Sequence, residues 1–173
     1  MGLNTQDSVV SLESGYATVA ANCVIDKFGR IGARKGWTKQ HLGNVDLGTA
    51  EIKAIGELIA NDGTAYLIAA GNNKLFRLSG STLTTLTYGG GGSAPTISAD
   101  NWQMAALNGI LYLYQTGHDP LIFDPAVSTT TFRRVSEKTG YVGTVSNNNC
   151  AIAAYGRTWT ATNGSNKTTI QFS

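Results

Sequence analysis

The chain has 173 residues, only 14% of them charged, with a net charge of +2 and a pI near 8.6. That balance is too mild for nucleic-acid binding by bulk charge, which usually takes a domain pI above about 9 with clustered bases. No basic flank leads into an apolar run at the N-terminus, and no stretch approaches the roughly 18 apolar residues of a spanning helix, so neither a signal peptide nor a membrane span is expected. Twenty-one glycines and abundant Thr, Ser and Asn suit a β-protein rich in turns. The low charge leaves surface that can meet other proteins at small desolvation cost. Cys23 and Cys150 are too far apart in sequence to suggest a disulfide framework or a metal motif. They read as small buried hydrophobes in a reducing compartment.

Residues 1–50 precede the repeats described below, and Ser8–Val10 and Ala17–Ile25 are strand candidates. A basic segment follows, with Lys27, Arg30, Arg34, Lys35 and Lys39 opposed only by Asp26. In an extended chain Arg30 and Arg34 share one face while Ile31 and Lys35 share the other. Two readings stand side by side: a contact to phosphate or to an acidic neighbouring subunit, and a solvated loop rim. Trp37 reads as core or as an interface anchor. The glycines here do not make a phosphate loop, because no Gly-Lys-Ser/Thr follows at the required spacing.

Residues 51–173 contain a repeat, about 55–100, 101–147 and a partial 148–173. Gly63, Gly109 and Gly156 are spaced by 46 and 47 residues, as are Gly71, Gly117 and Gly164, and the aromatics Tyr66, Tyr112 and Trp159. Each copy reads as strand, turn at the first glycine, strand, turn at the second glycine, strand. Asp62-Gly63 and Asn108-Gly109 are hairpin signals between apolar runs, since such turns need positive φ. A fourth strand is predicted at Thr82–Tyr88 and at Thr129–Val135, and Gly89–Gly92 reads as a flexible linker between copies. Little or no helix is expected. Four short strands in about 46 residues match the period of β-propeller blades, so the predicted fold is all-β, an incomplete propeller of four-stranded antiparallel blades. Tyr66, Tyr112 and Trp159 lie inside strands and are expected in the core. Propellers close with four or more blades. The chain therefore reads as a fragment of a longer protein, or else as one piece of an assembly that supplies the rest.

No motif carries chemistry. His41 and His118 belong to no metal-ligand spacing, and His118-Asp119-Pro120 reads as a turn. No Gly-x-Ser-x-Gly elbow occurs and the acids are scattered. Catalytic residues, metal and cofactor are all expected to be absent.

Two segments resemble a known family. Gly15-Tyr-Ala-Thr-Val-Ala-Ala-Asn22, followed by Gly29-Arg-Ile-Gly-Ala-Arg34-Lys-Gly36-Trp37, is similar to the start of the tail nozzle proteins of short-tailed bacteriophages, also called tail tubular protein B or tail hub. Ala153-Ala-Tyr-Gly-Arg157-Thr-Trp-Thr-Ala and Thr169-Ile-Gln-Phe-Ser173 resemble later elements of that family. The likeness covers most of this chain but only the first part of a nozzle protein. It implies a virion structural protein that forms part of the DNA ejection conduit, assembled in the host cytoplasm. It implies a homo-oligomer, a hexameric ring, docked to adaptor or portal and to other tail proteins, with DNA passing non-specifically through the channel and no membrane partner. Lys27, Arg30, Arg34, Lys35, Trp37 and Lys39 are then the candidates for interface or phosphate contact. The alternative function is a kelch-like propeller module that binds a carbohydrate or peptide.

Overall fold

The structure, a computed structural model, describes residues 2–3, 16–17, 21, 23–25, 31–34, 36, 43–143, 147–148, 150–161 and 170–172. Among these the fold is all-β, broken only by one turn of 3-10 helix at Val135–Glu137. Chain contacts divide it into two units, Met1–Lys39 and Gln40–Ser173. In the first, β1 (Gly2–Leu3) pairs in parallel with β2 (Tyr16–Ala17), and β3 (Cys23–Ile25) forms a hairpin with β4 (Ile31–Ala33). Ser8–Val10 lies outside the described residues.

Among the described residues the second unit holds three sheets. The first is an antiparallel meander of β5 (Ile52–Ile59), β6 (Ala65–Gly71), β7 (Lys74–Ser79) and β8 (Thr82–Thr85). The second has the order β10 (Trp102–Leu107), β11 (Ile110–Gln115), β12 (Leu121–Phe123), β13 (Thr131–Arg134), with β9 (Thr87–Tyr88) added in parallel at its outer edge. The third is β14 (Cys150–Ala154), β15 (Arg157–Ala161) and β16 (Ile170–Phe172). None of the sheets closes on itself among the described residues.

The turns follow from local chemistry. Asn108 and Gly109 have φ of 51° and 74°, and Tyr155 and Gly156 have 53° and 71°. Both are two-residue hairpins whose two positive φ angles match the twist of the strands they join. Gly63, at φ 83°, sits in a longer loop in which the Asp62 carboxylate accepts from the Thr64 amide at 2.9 Å. Gly117 takes φ 78°, as a turn glycine should.

Gly71 is a correction. It ends β6 opposite Lys74, and the turn is made by Asn72 and Asn73 at φ 45° and 55°. Asparagine tolerates that region because its short polar side chain can bond locally. Gly71 is needed for space instead: a Cβ there would stand 2.7 Å from the Glu51 carbonyl oxygen.

The fourth strand of the first copy also differs from expectation. It stops at Thr85, Leu86 is buried, and Thr87–Tyr88 crosses to pair with β13. Burial of Leu86 in the apolar seam between the first and second sheets turns the chain out of its own sheet.

That seam is the main core. Leu58, Ile68, Ala70 and Leu75 from the first sheet meet Trp102, Leu111, Leu113, Leu121 and Phe123 from the second. Tyr66 is half-buried and meets Phe123 edge-on at 5.5 Å. On the other face of the first sheet Ala69, Phe76 and Leu83 are covered by Leu47. The turn that carries Leu47 is pinned by Asp46, whose carboxylate takes Lys74 Nζ and Thr85 Oγ1 at 2.5 Å each. The first strands of the sheets stand side by side, β10 between β5 and β14.

Gly56 sets how close β5 and β10 come. A Cβ at Gly56 would lie 2.5 Å from Met104 Sδ and 3.0 Å from Met104 Cβ. Gly56→Val is expected to destabilise the second unit by about 1–3 kcal/mol, as overpacking does. Gly91→Ala, where an added Cβ meets nothing within 4 Å, serves as the control in urea unfolding followed by circular dichroism. Equal midpoints for the two variants would refute this account of the joint.

Candidate functional site

Of the six residues singled out in the basic segment, the structure describes Arg34. It follows β4 directly and is exposed. Lys27, Arg30, Lys35, Trp37 and Lys39 lie outside the described residues. No clustering of these side chains is therefore on view, and the candidate surfaces that can be built from geometry all lie on the second unit.

The first is a polar knot at the glycine run. The linker expected at Gly89–Gly92 is tied down. Gly89 N–H donates to Phe132 O at 2.9 Å, and Gly91 N–H donates to Glu137 Oε1 at 3.0 Å. The Glu137 carboxylate also accepts from the Arg134 amide at 2.9 Å and from the Tyr88 hydroxyl. A Cβ at Gly90 would collide with that carboxylate, so glycine is required for the backbone to wrap it. Arg134 completes the knot: Nε donates to Asp119 Oδ2 at 2.9 Å, Nη1 to the Tyr88 hydroxyl at 2.5 Å and Nη2 to Ser93 O at 2.9 Å. Every group has a partner within the fold, so the knot fastens the connection between sheets and offers no open valence to a ligand.

The second is a groove of about 440 Å³ between the second and third sheets. Tyr112, Tyr114, Tyr141 and Lys138 form one wall, and Thr158, Thr160 and Gln171 belong to the other. Burial is the main cause that pushes the Tyr114 hydroxyl up to about 12, with Tyr112 and Tyr141 adding to it. Gln171 is held by buried Asn148, whose Nδ2 donates to Gln171 Oε1 at 3.0 Å and to Thr160 Oγ1 at 2.7 Å. Such walls can stack on and hydrogen-bond a neutral polar ligand.

The third is the outward face of the third sheet. Ile152 pairs with Trp159, and Trp159 with Phe172, so the three form one row on one face. Ile152 is 63% exposed, Ile170 67% and Phe172 58%. Trp159 is half-buried against Phe172, and its Nε1 donates to Ala154 O at 3.0 Å. Thr158 and Thr160, on the opposite face, are buried. The third sheet thus turns Thr158 and Thr160 inward and a largely apolar face out, with Arg157 lying over the Phe172 ring. Two sequence expectations change here. Cys150 is exposed at the start of β14, and Cys23 is half-buried, so neither is a fully buried hydrophobe. Trp159 sits on an open face instead of in a core. Its ladder equivalence to Tyr66 and Tyr112 was the signal that could have marked the face.

Ser98 Oγ lies 3.1 Å from His118 Nε2, but Ser98 is exposed, His118 is half-buried and the adjacent Asp119 carboxylate is engaged by Arg134. Among the described residues no three His, Cys, Asp or Glu side chains converge as a metal site. Compared with protein-family models, curated proteins and solved structures, the chain has no significant match.

Glu137 makes the knot sensitive to pH. Burial raises its pKa, but the hydrogen bonds from Tyr88 and from the Arg134 and Gly91 amides, with the Arg134 charge, outweigh burial and hold it below 4.5. A depressed folded-state value means that the stabilisation is complete above 4.5 and is lost as pH falls through the lower folded value. Unfolding midpoints measured in urea across the acid range should fall for the wild type. Glu137→Gln should flatten that slope and cost about 2 kcal/mol at neutral pH, the scale of a lost charged hydrogen bond. An unchanged slope would show that Glu137 is not the titrating group.

Proposed function

We propose that the chain is a structural component of a phage tail of the nozzle type, built as an incomplete β-propeller, and that it works by assembly. The observation that carries this reading is the side-by-side stacking of three antiparallel sheets through β5, β10 and β14, ending in an exposed apolar face on the third. Successive blades of a propeller stack in this way. The resemblance of Gly15–Trp37 to the start of nozzle proteins supplies the biological setting. The low charge and the absence of an assembled nucleophile, base or metal cluster among the described residues suit a conduit part that makes and breaks no bond.

On this reading the chain is a subunit of a ring, hexameric in the family it resembles, docked to adaptor or portal with DNA passing through. Exposed Arg34, with Lys27, Arg30, Lys35 and Lys39 beside it in sequence, offers positive charge to phosphate or to an acidic neighbour. Trp37 would anchor such an interface. The tyrosine-lined groove favours a second reading, a propeller module that binds a carbohydrate or peptide, because aromatic rings beside amide and hydroxyl groups suit sugar faces and edges.

Material from the natural source separates the two. The tail reading expects intact mass to place this sequence in virions, native sizing to give a ring, and antibodies against the chain to label the tail end of particles in electron micrographs. Particles without the chain, together with saturable glycan or peptide binding that is abolished by Tyr112→Ala, would replace it with the binding-module reading.

A further inference from the structure

Among the described residues, the groove between the second and third sheets is lined by one positive charge and no negative one. Strand alternation along β11 sends Leu111 and Leu113 into the seam with the first sheet. Tyr112 and Tyr114 therefore stand on the other face and line the groove. Lys138 and Tyr141 join them from the segment after the 3-10 turn, where the Tyr141 amide donates to the Lys138 carbonyl at 3.0 Å. Thr158, Thr160 and Gln171 stand across from them.

The hydrogen bonds already made leave donors facing the gap. Buried Asn148 donates to Gln171 Oε1 at 3.0 Å and to Thr160 Oγ1 at 2.7 Å. With its carbonyl oxygen engaged, Gln171 keeps its amide N–H groups for the groove, and Thr160 keeps its hydroxyl proton to give. Lys138 is half-buried and has no ion-pair partner among the described residues. The acids closest to this wall are committed elsewhere. Glu137 is held in the knot by Tyr88 and by the Arg134 and Gly91 amides. Asp124, whose charge reaches Tyr112, accepts from the Ala126 amide at 3.1 Å through Oδ1. A half-buried cation among donors, with no counter-charge of its own, suits an anionic ligand.

Size and shape narrow the class. The volume of about 440 Å³ falls within the roughly 300–1,000 Å³ of small-ligand sites. The tyrosine rings offer flat apolar faces for a sugar ring, beside hydroxyl and amide groups for its edges. A peptide strand would instead draw on the main-chain groups of an open sheet edge, whereas this groove is walled by side chains. We propose that the groove binds an acidic saccharide, a sugar bearing a carboxylate such as a hexuronate. Lys138 pairs with the carboxylate, the Tyr112 ring lies against the sugar face, and Gln171 and Thr160 donate to its oxygens. This deepens the binding reading of the groove and rests on it. It holds equally for a free module and for a tail component that carries the groove.

Isothermal titration calorimetry of the intact chain tests this with trigalacturonate, neutral maltotriose, inorganic phosphate and pentaglutamate as probes. Trigalacturonate should bind well ahead of the other three. Lys138→Gln should weaken it by on the order of 10-fold, the scale of a charged hydrogen bond. Lys138→Arg keeps the charge and should keep the preference for the acidic sugar. Tyr112→Ala should abolish saccharide binding, and Lys53→Gln, outside the groove, controls for the loss of a surface charge. Urea unfolding midpoints measured alongside show that each variant is folded. Equal binding of trigalacturonate and maltotriose, or no effect of Lys138→Gln, would overturn the acidic specificity and leave the groove reading standing. Phosphate or pentaglutamate binding as tightly as trigalacturonate would overturn the sugar in favour of a bare anion or an acidic peptide. Binding of none of the probes, or binding that survives Tyr112→Ala, would remove the groove reading as well.

Discussion

The seam between the first and second sheets is the constraint on which the second unit depends. A single antiparallel meander has one face too many for water and is marginal alone. Ordering its backbone costs about 1–2 kcal/mol per residue, while a fully buried Leu, Ile or Phe returns about 1.5–3 kcal/mol. Most residues in these strands bury only one side in two, so no sheet gains enough from its own ladder. Stability has to come from neighbours, and Ile68, Leu113 and Phe123, none with any exposure, show where it does. Gly56 makes the seam possible by letting Met104 reach the backbone of β5.

The few charges are spent at fixed places. Asp46 fastens the turn that carries Leu47 onto the first sheet, with Lys74 and Thr85 as partners. Glu137 fastens the glycine run to the 3-10 turn, with Arg134 and Tyr88 as partners. Both carboxylates collect hydrogen bonds at the points where the chain leaves one element for the next. Strand faces are mostly apolar and small polar, with a few charges such as Glu57 and Arg157 at exposed positions. This division explains how a chain with so little charge keeps a defined path between sheets.

The outward face of the third sheet follows from the same physics. Where a following sheet exists, the row of one sheet is covered by the next. Where none is present among the described residues, the row is open. The inward face is polar because buried Asn148 holds Thr160 and Gln171 in a hydrogen-bonded layer against the second sheet, so the joint there is looser and includes a groove.

The sequence by itself determined the all-β class, the period near 46 residues and the hairpins at Asn108-Gly109 and Tyr155-Gly156, because positive φ and strand alternation are local and leave their mark on single residues. It showed the repeat of Tyr66, Tyr112 and Trp159 but not that the third of them stands on an open face, since burial depends on what lies across the joint. It read Gly71 as a turn and Gly89–Gly92 as a loose connector; at Gly71, Gly89 and Gly90 another part of the chain comes too close for a Cβ. Such contacts join residues far apart in sequence, Gly90 to Glu137 and Gly71 to Leu47, and no local pattern encodes them. The direction in which each sheet faces, and therefore which surface is left for a partner, was decided only by the tertiary packing of β10 between β5 and β14.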